Sequence, residues 1–159
     1  MEEDSNKDEY THGFTKDVND YLNFYIRVAD AKAAVFLAGD ITVGAALAKS
    51  TFCSDEAIIF GAISALSILI SIFFGAKVFI PSVSSKHQGF IFWENIKNWS
   101  SKDRYLSKVQ NLSSSEIENQ YAKQNWEVSK ILSKKHFAIK WGVVTFLVGF
   151  LAYVLSQII

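Results

Sequence analysis

The sequence predicts an all-α integral membrane protein with three transmembrane helices, a hairpin and a C-terminal span, separated by a cytosolic helical segment. Three observations carry this. Residues 57–76 run for roughly 20 residues without a charge, enough at about 1.5 Å per residue to cross a hydrocarbon layer of roughly 30 Å. Residues 141–159 (WGVVTFLVGFLAYVLSQII) hold no charge over about 19 residues, again the length of a span. Lysine and arginine crowd the stretch between those runs and are sparse elsewhere. The length of the first run argues against a buried core helix, which at that size would normally carry a polar stripe on its solvent side.

Composition agrees. Half of the 159 residues are hydrophobic, while mean hydropathy is only +0.15 because long polar segments dilute the apolar runs. Formal net charge is zero, which gives no general attraction to a nucleic-acid polymer.

Residues 1–13 are acidic and polar, expected to be a disordered terminus and the opposite of a secretory leader. Residues 14–32 form an amphipathic cytosolic or interfacial helix, in which Phe14, Val18, Tyr21, Leu22, Tyr25 and Ile26 recur at helical spacing. Lysine is sparse there for a helix lying on lipid, so packing on the cytosolic segment is the preferred reading.

Residues 33–48 (AAVFLAGDITVGAALA) are a shorter apolar run interrupted by Asp40. Residues 49–56 make a short polar connector, so residues 33–81 read as a helical hairpin. Counting outward from the loop sets Asp40 beside Leu66 or Ser67, and Asp30 beside Lys77. The expected consequences are an ion pair between Asp30 and Lys77, and Asp40 near mid-membrane against the face of Ser64, Ser67 and Ser71. A carboxylate at that depth costs about 2.5 to 3.5 kcal/mol on insertion scales. Two readings stand for Asp40: a neutral acid bonded to a serine, or a pore-lining and gating group.

Pro81 closes the second span, and residues 82–137 form the cytosolic segment. Its aromatic stretch, residues 88–99 (QGFIFWENIKNW), fits either an interfacial belt or the core of a small helical module. A short helix follows over residues 102–109, then a break at NLSSS with two candidate capping boxes, Ser113 with Glu116 and Ser115 with Glu118. A long helix from Ser115, with Ile117, Tyr121, Val128, Ile131 and Leu132 inward, leads into the last span, residues 138–159.

Lys86, Lys97, Lys102, Arg104, Lys108, Lys123, Lys130, Lys134, Lys135 and Lys140 all fall in or beside the cytosolic segment, against Lys49 alone in the first connector. The positive-inside rule then sets the amino terminus and that segment in the cytoplasm and the carboxyl terminus outside. Gly142, Thr145, Gly149, Ala152 and Ser156 recur at steps of three and four, a stripe that lets helix backbones approach closely. Three short spans make a thin bundle, and a homo-oligomer is expected.

Nothing points to catalysis. His12, His87 and His136 are scattered, without metal-ligand spacing, and no phosphate-cradling glycine loop occurs. Cys53 is single. No enzyme activity, metal or cofactor is expected.

Asp30-Ala31-Lys32-Ala33 at the mouth of the first span, Pro81 closing the second, the GFIFW block at residues 89–93, and Ile131, Leu132, Lys134 and Lys135 leading into the last span resemble the Pycsar effector transmembrane family. The resemblance covers residues 21–159. It implies an inner-membrane effector of anti-phage defence that answers a cyclic nucleotide, bound directly or through a partner protein, by loss of membrane integrity and abortive infection.

If the nucleotide binds directly, it needs cationic donors and an aromatic platform. Lys97, Lys102, Arg104 and Lys108 beside Trp93, Trp99 and Tyr105 are the nearest such cluster. The same residues satisfy positive-inside topology with no ligand at all. Two alternatives to a disrupting effector stand beside it: a membrane scaffold that recruits a soluble partner through the cytosolic segment without changing permeability, and a small transporter subunit.

Overall fold

A computed structural model of the chain describes residues 2–80 and 89–159, with side chains for 13–80, 89–92 and 95–159. Among the described residues the ordered elements are all helices: α1 (Glu2–Leu47), α2 (Asp55–Phe79), α3 (Trp93–Lys97), α4 (Lys102–Gln110) and α5 (Ser114–Ile158). The chain divides into two compact units, residues 1–25 with 82–132, and residues 26–81 with 133–159.

The acidic terminus is described as helix from Glu2 onward. It belongs to α1, which starts at Glu2 and runs through the amphipathic and apolar segments as one helix. No proline lies within residues 2–47 to interrupt it.

Among the described residues two helices, not three, are long and apolar enough to cross a membrane: α2 and α5. The apolar run of α1 falls short because Asp30, Lys32 and Asp40 lie within one span length of its end at Leu47. Only 28% of the apolar window of α2 and 22% of that of α5 is buried, which is the reverse of a soluble core helix. Leu66, Leu69 and Phe73 on α2 and Leu147 and Leu151 on α5 face outward, more than half exposed. Such a surface suits hydrocarbon, so the chain is read as a membrane protein.

In the unit of residues 26–81 and 133–159, three stripes meet. On α1, Ala29, Ala33, Phe36, Asp40 and Val43 are buried; on α2, Ala57, Gly61, Ser64, Ile68, Ser71, Gly75 and Val78; on α5, Ala138, Gly142, Gly149, Ala152 and Ser156. Steps of three and four alternate along the first two stripes, and along the third once half-buried Thr145 is set between Gly142 and Gly149, the spacing of a knobs-into-holes seam. Ala33, Phe36, Val78 and Ala138 form its apolar centre. Small residues permit the approach: a Cβ on Gly75 would lie 2.6 Å from Leu37 Cδ2, and one on Gly142 would lie 2.8 Å from Phe36 Cζ.

The hairpin register differs from the one counted outward from the loop. Asp40 reaches Ser71, Leu37 packs at Gly75, and Gly44 lies near Ile68, each about one turn further along α2 than expected. The connector is the cause. Helix α1 ends at Leu47, and the non-helical residues after it run beside the start of α2, with the Phe52 ring packed on Gly61. Ser54 then caps α2, its hydroxyl accepting from the Ala57 N–H at 3.0 Å.

In the unit of residues 1–25 and 82–132, Ser101 caps α4 by accepting from Arg104 N–H. Of the two expected capping boxes the first forms. Ser113 Oγ accepts from Glu116 N–H at 3.3 Å, and the Glu116 carboxylate accepts from Ser113 N–H at 3.0 Å. Ser115 is already inside α5. The α1 and α5 segments of this unit are tied by Asn125, whose side-chain oxygen accepts from Asn19 Nδ2 at 3.0 Å while its Nδ2 donates to the Thr15 carbonyl at 2.9 Å.

Candidate functional site

The polar groups buried among the spans converge on α2. Its serine stripe brings Ser64 and Ser71, seven residues apart, onto one face, and both are fully buried. Opposite them, Gly142 and Gly149 are also seven residues apart on α5 and carry no side chain to cover their carbonyls. Ser64 Oγ donates to the Gly149 carbonyl at 2.8 Å, and Ser71 Oγ lies 2.9 Å from the Gly142 carbonyl. Each carbonyl still has a lone pair free for this beside its helical bond.

Asp40 completes the arrangement from α1. It is wholly enclosed, and its Oδ2 lies 2.8 Å from the same Ser71 hydroxyl. One serine therefore touches a carboxyl of α1 and a carbonyl of α5, so three helices meet at a single oxygen. A serine hydroxyl has one hydrogen, and two acceptors compete for it. The other carboxyl oxygen, Oδ1, is buried and has no hydrogen-bond partner.

The remaining residues expected at this site fall out differently. Ser67 is only partly buried and packs at Gly149. Asp30 does not pair with Lys77. It pairs with Lys135 of α5, and Lys77 instead lies over the Phe73 ring, 4.7 Å from its centroid. Because the hairpin register is displaced, Lys77 turns outward on α2, whereas parallel α5 presents Lys135 at the height of Asp30. Gly142, Thr145, Gly149, Ala152 and Ser156 all lie on the inner side of α5. Gly142 and Gly149 meet Phe36 and Ile68, so helices of this one chain account for the close approach there.

The candidate ligand cluster is brought together only in part. Trp99 lies tilted against Phe90, ring centroids 5.4 Å apart, and meets Tyr105 edge-on at 5.9 Å. Their polar atoms serve this unit's own fold: Trp99 Nε1 donates to the Gly89 carbonyl and Tyr105 Oη to the Phe90 carbonyl, both at 3.2 Å. The aromatic stretch thus forms a small module core. Lys108 is held by Glu116 at 2.8 Å and lies over the Phe90 ring. Arg104 bonds to Ser100 at 3.2 Å, and Lys97 and Lys102 are exposed. The hydrogen bonds from Lys108 and Ser113 hold the Glu116 carboxyl down to about 2.

The Trp93 side chain, Pro81, His12 and His87 lie outside the described residues; His136 is exposed on α5. Among the described residues no group of His, Cys, Asp and Glu is arranged to hold a metal, and Cys53 is a free, exposed thiol. Sequence reasoning missed Asn19 and Asn125, and the role of the glycine carbonyls. Paired asparagines at inward helical positions were the available signal for the first. For the second, the matching seven-residue spacing of the serines on α2 and the glycines on α5 was the signal.

A family model described as the Pycsar effector protein domain matches residues 14–159. The chain is similar to the Pycsar effector protein SaPycTM of Staphylococcus aureus, at 28% identity over 156 residues, covering 96% of this chain and 95% of that protein. No solved structure matches. The chain belongs to the Pycsar effector family, the effectors of cyclic-nucleotide-signalled anti-phage defence.

Proposed function

We propose that the chain impairs the cell inner membrane when a cyclic nucleotide signals infection, by opening its membrane bundle at Asp40. The observation that carries this is the enclosure of Asp40 at the one serine shared by three helices. In this reading the apolar half of α1 enters the bilayer beside α2 and α5, because its carboxyl is wholly covered by them. Asp40 is a neutral acid there. Its own proton goes to Ser71 Oγ, which frees the serine hydrogen for the Gly142 carbonyl and resolves the competition of two acceptors for one hydrogen. Separation of the helices exposes a row of polar atoms, Asp40, Ser71, Ser64 and the glycine carbonyls, in place of a sealed seam.

The amino terminus and residues 82–137 lie in the cytoplasm and the carboxyl terminus outside, by the lysine and arginine distribution. The chain acts as a homo-oligomer and catalyses no reaction. The signal reaches it directly through Lys97, Lys102, Arg104 and Lys108, or through a partner protein. The inward use of the Trp99 and Tyr105 polar atoms leaves less of that platform for a base, which favours the partner route.

The test is co-expression with a nucleotide cyclase, scored by membrane potential. Depolarisation that needs both proteins is expected. A native host cell, in which any partner protein is present, that stays polarised while the nucleotide accumulates rules this reading out and leaves the scaffold.

A further inference from the structure

We infer that the α1 face carrying Phe14, Asp17, Tyr21 and Phe24 docks on the α5 face carrying Lys123, Trp126 and Lys130 of a second copy of this chain; this rests on the proposed membrane oligomer and names its surface. Both faces belong to the unit of residues 1–25 and 82–132. The α1 residues follow one another at steps of three, four and three, and the α5 residues at steps of three and four. Each is therefore a seam-type stripe like those buried in the membrane bundle, but turned outward.

Phe14 is 66% exposed, Tyr21 58%, Phe24 53% and Trp126 66%. Four aromatic rings open on two helices of one small unit are a surface that needs covering. Charge says by what. The α1 stripe contains Asp17 with Asp20 beside it, and the α5 stripe contains Lys123 and Lys130, all exposed; Lys130 bonds to Glu127 at 3.1 Å and lies over the Trp126 ring, so Lys123 is the cation that meets the α1 acids. An acidic aromatic stripe and a basic one on the same unit complement each other between copies, in a head-to-tail contact that closes into a ring.

Height fixes the register. In the membrane unit Asp30 pairs with Lys135 and Gly39 packs on Phe146, so residue numbers on α1 and α5 rise together. The separation is 105 residues at Asp30 and Lys135, and it is 106 at Asn19 and Asn125 in the other unit. Copies anchored in one bilayer stand at one height, so the same offset holds across their contact. It sets Asp17 opposite Lys123, an ion pair, and Phe24 at the height of Lys130, whose stem and the Trp126 ring beneath its ammonium offer apolar area to the Phe24 ring.

The experiment uses two differently tagged full-length copies in native membranes, both Cys53→Ser, one Asp17→Cys and the other Lys123→Cys. Mild oxidation is expected to link the two tags, with far less linkage between two Asp17→Cys copies. Asp17→Lys should weaken co-purification of tagged copies, and Asp17→Lys with Lys123→Asp in the same chain should restore it. Equal linkage between two Asp17→Cys copies overturns the head-to-tail contact in favour of a two-fold one. Wild-type copies that co-purify while the mixed pair never links, and charge reversal without effect, overturn the surface and leave the oligomer standing. Copies that never co-purify bring down the oligomer itself and this surface with it.

Discussion

Asp30 on α1 is joined to Lys135 on α5 by an ion pair whose lysine is largely shielded, with side-chain exposures of 35% and 15% respectively. The pair closes the end of the stripe that continues through Ala33 and Phe36 to Asp40, and it sets the offset between two parallel helices. Because the carboxylate keeps contact with solvent, the contribution is discounted toward the surface range. Asp30→Ala is expected to cost about 1 kcal/mol. Exchange of the two charges, Asp30→Lys with Lys135→Asp, should recover part of it, while Lys77→Ala stays within about 0.5 kcal/mol. Thermal unfolding in one detergent reads all three. A larger loss at Lys77 than at Asp30 would mean that the hairpin pairing, rather than the α1 to α5 pairing, is the real one.

Asp40→Asn keeps a donor toward Ser71 and leaves the serine hydrogen for the Gly142 carbonyl. If Asp40 is a neutral acid, this substitution is nearly silent in stability. Ser71→Ala should cost about 1 to 3 kcal/mol, because it strips the enclosed carboxyl of its one partner. The double substitution Asp40→Ala with Ser71→Ala should then cost less than the two single changes added together, since the residues share one contact. Asp40→Asn as damaging as Asp40→Ala would show that the carboxylate charge matters, and the neutral acid would be abandoned.

How far the sequence could be read follows from what each feature depends on. The spans α2 and α5 depend on composition over one helix length, and both were visible. The stripe from Gly142 to Ser156 depends on periodicity, and it too was visible, with Asp40 meeting the serine face. Partner choice was another matter. Lys77 was assigned to Asp30 by counting from a tight loop, and the count failed because Phe52 packs on Gly61 and the connector runs beside α2 before the helix begins. The terminus was read from acidity alone, a signal that does not bear on the helix of 46 residues assigned from Glu2. The aromatic stretch left two readings open, since the Trp99 indole meets a carbonyl 10 residues back, in the non-helical residues before α3, a contact that helical periodicity does not show.

Glycines on the seam and off it should respond with opposite sign. A Cβ at Gly75 would meet Leu37 Cδ2 at 2.6 Å, Leu37 Cγ at 2.7 Å and Phe36 Cε2 at 2.9 Å, too close for a small tilt of one side chain to relieve. Gly75→Ala is expected to destabilise by about 1 to 3 kcal/mol, the range for overpacking. Gly13 sits within α1 with nothing inside 4 Å of a built Cβ, so Gly13→Ala should stabilise by about 0.5 to 1 kcal/mol through helix propensity. Melting of the two variants beside the parent separates the cases. A Gly75→Ala protein as stable as the parent would mean that the seam is looser than its geometry.

The last expectation concerns pH at the start of α5. Lys108 and the Ser113 backbone and hydroxyl hold the Glu116 carboxyl near 2 in the folded chain, below its usual 4.5. A depressed acid stabilises the fold in its ionised form, so the contribution is fully present above pH 4.5 and is lost as pH falls from there toward 2. The capping box and the bridge from α4 should therefore loosen together in that window. Amide-exchange protection at Ile117 and Glu118, followed in the full chain in micelles, should fall as pH drops from 4.5 to 2, after correction for the intrinsic exchange rate. In Glu116→Gln the amide can still cap Ser113 but cannot pair with Lys108 as an ion, so protection should start lower and stay flat across the same window. An equal fall in both proteins would assign the loosening to some other acid.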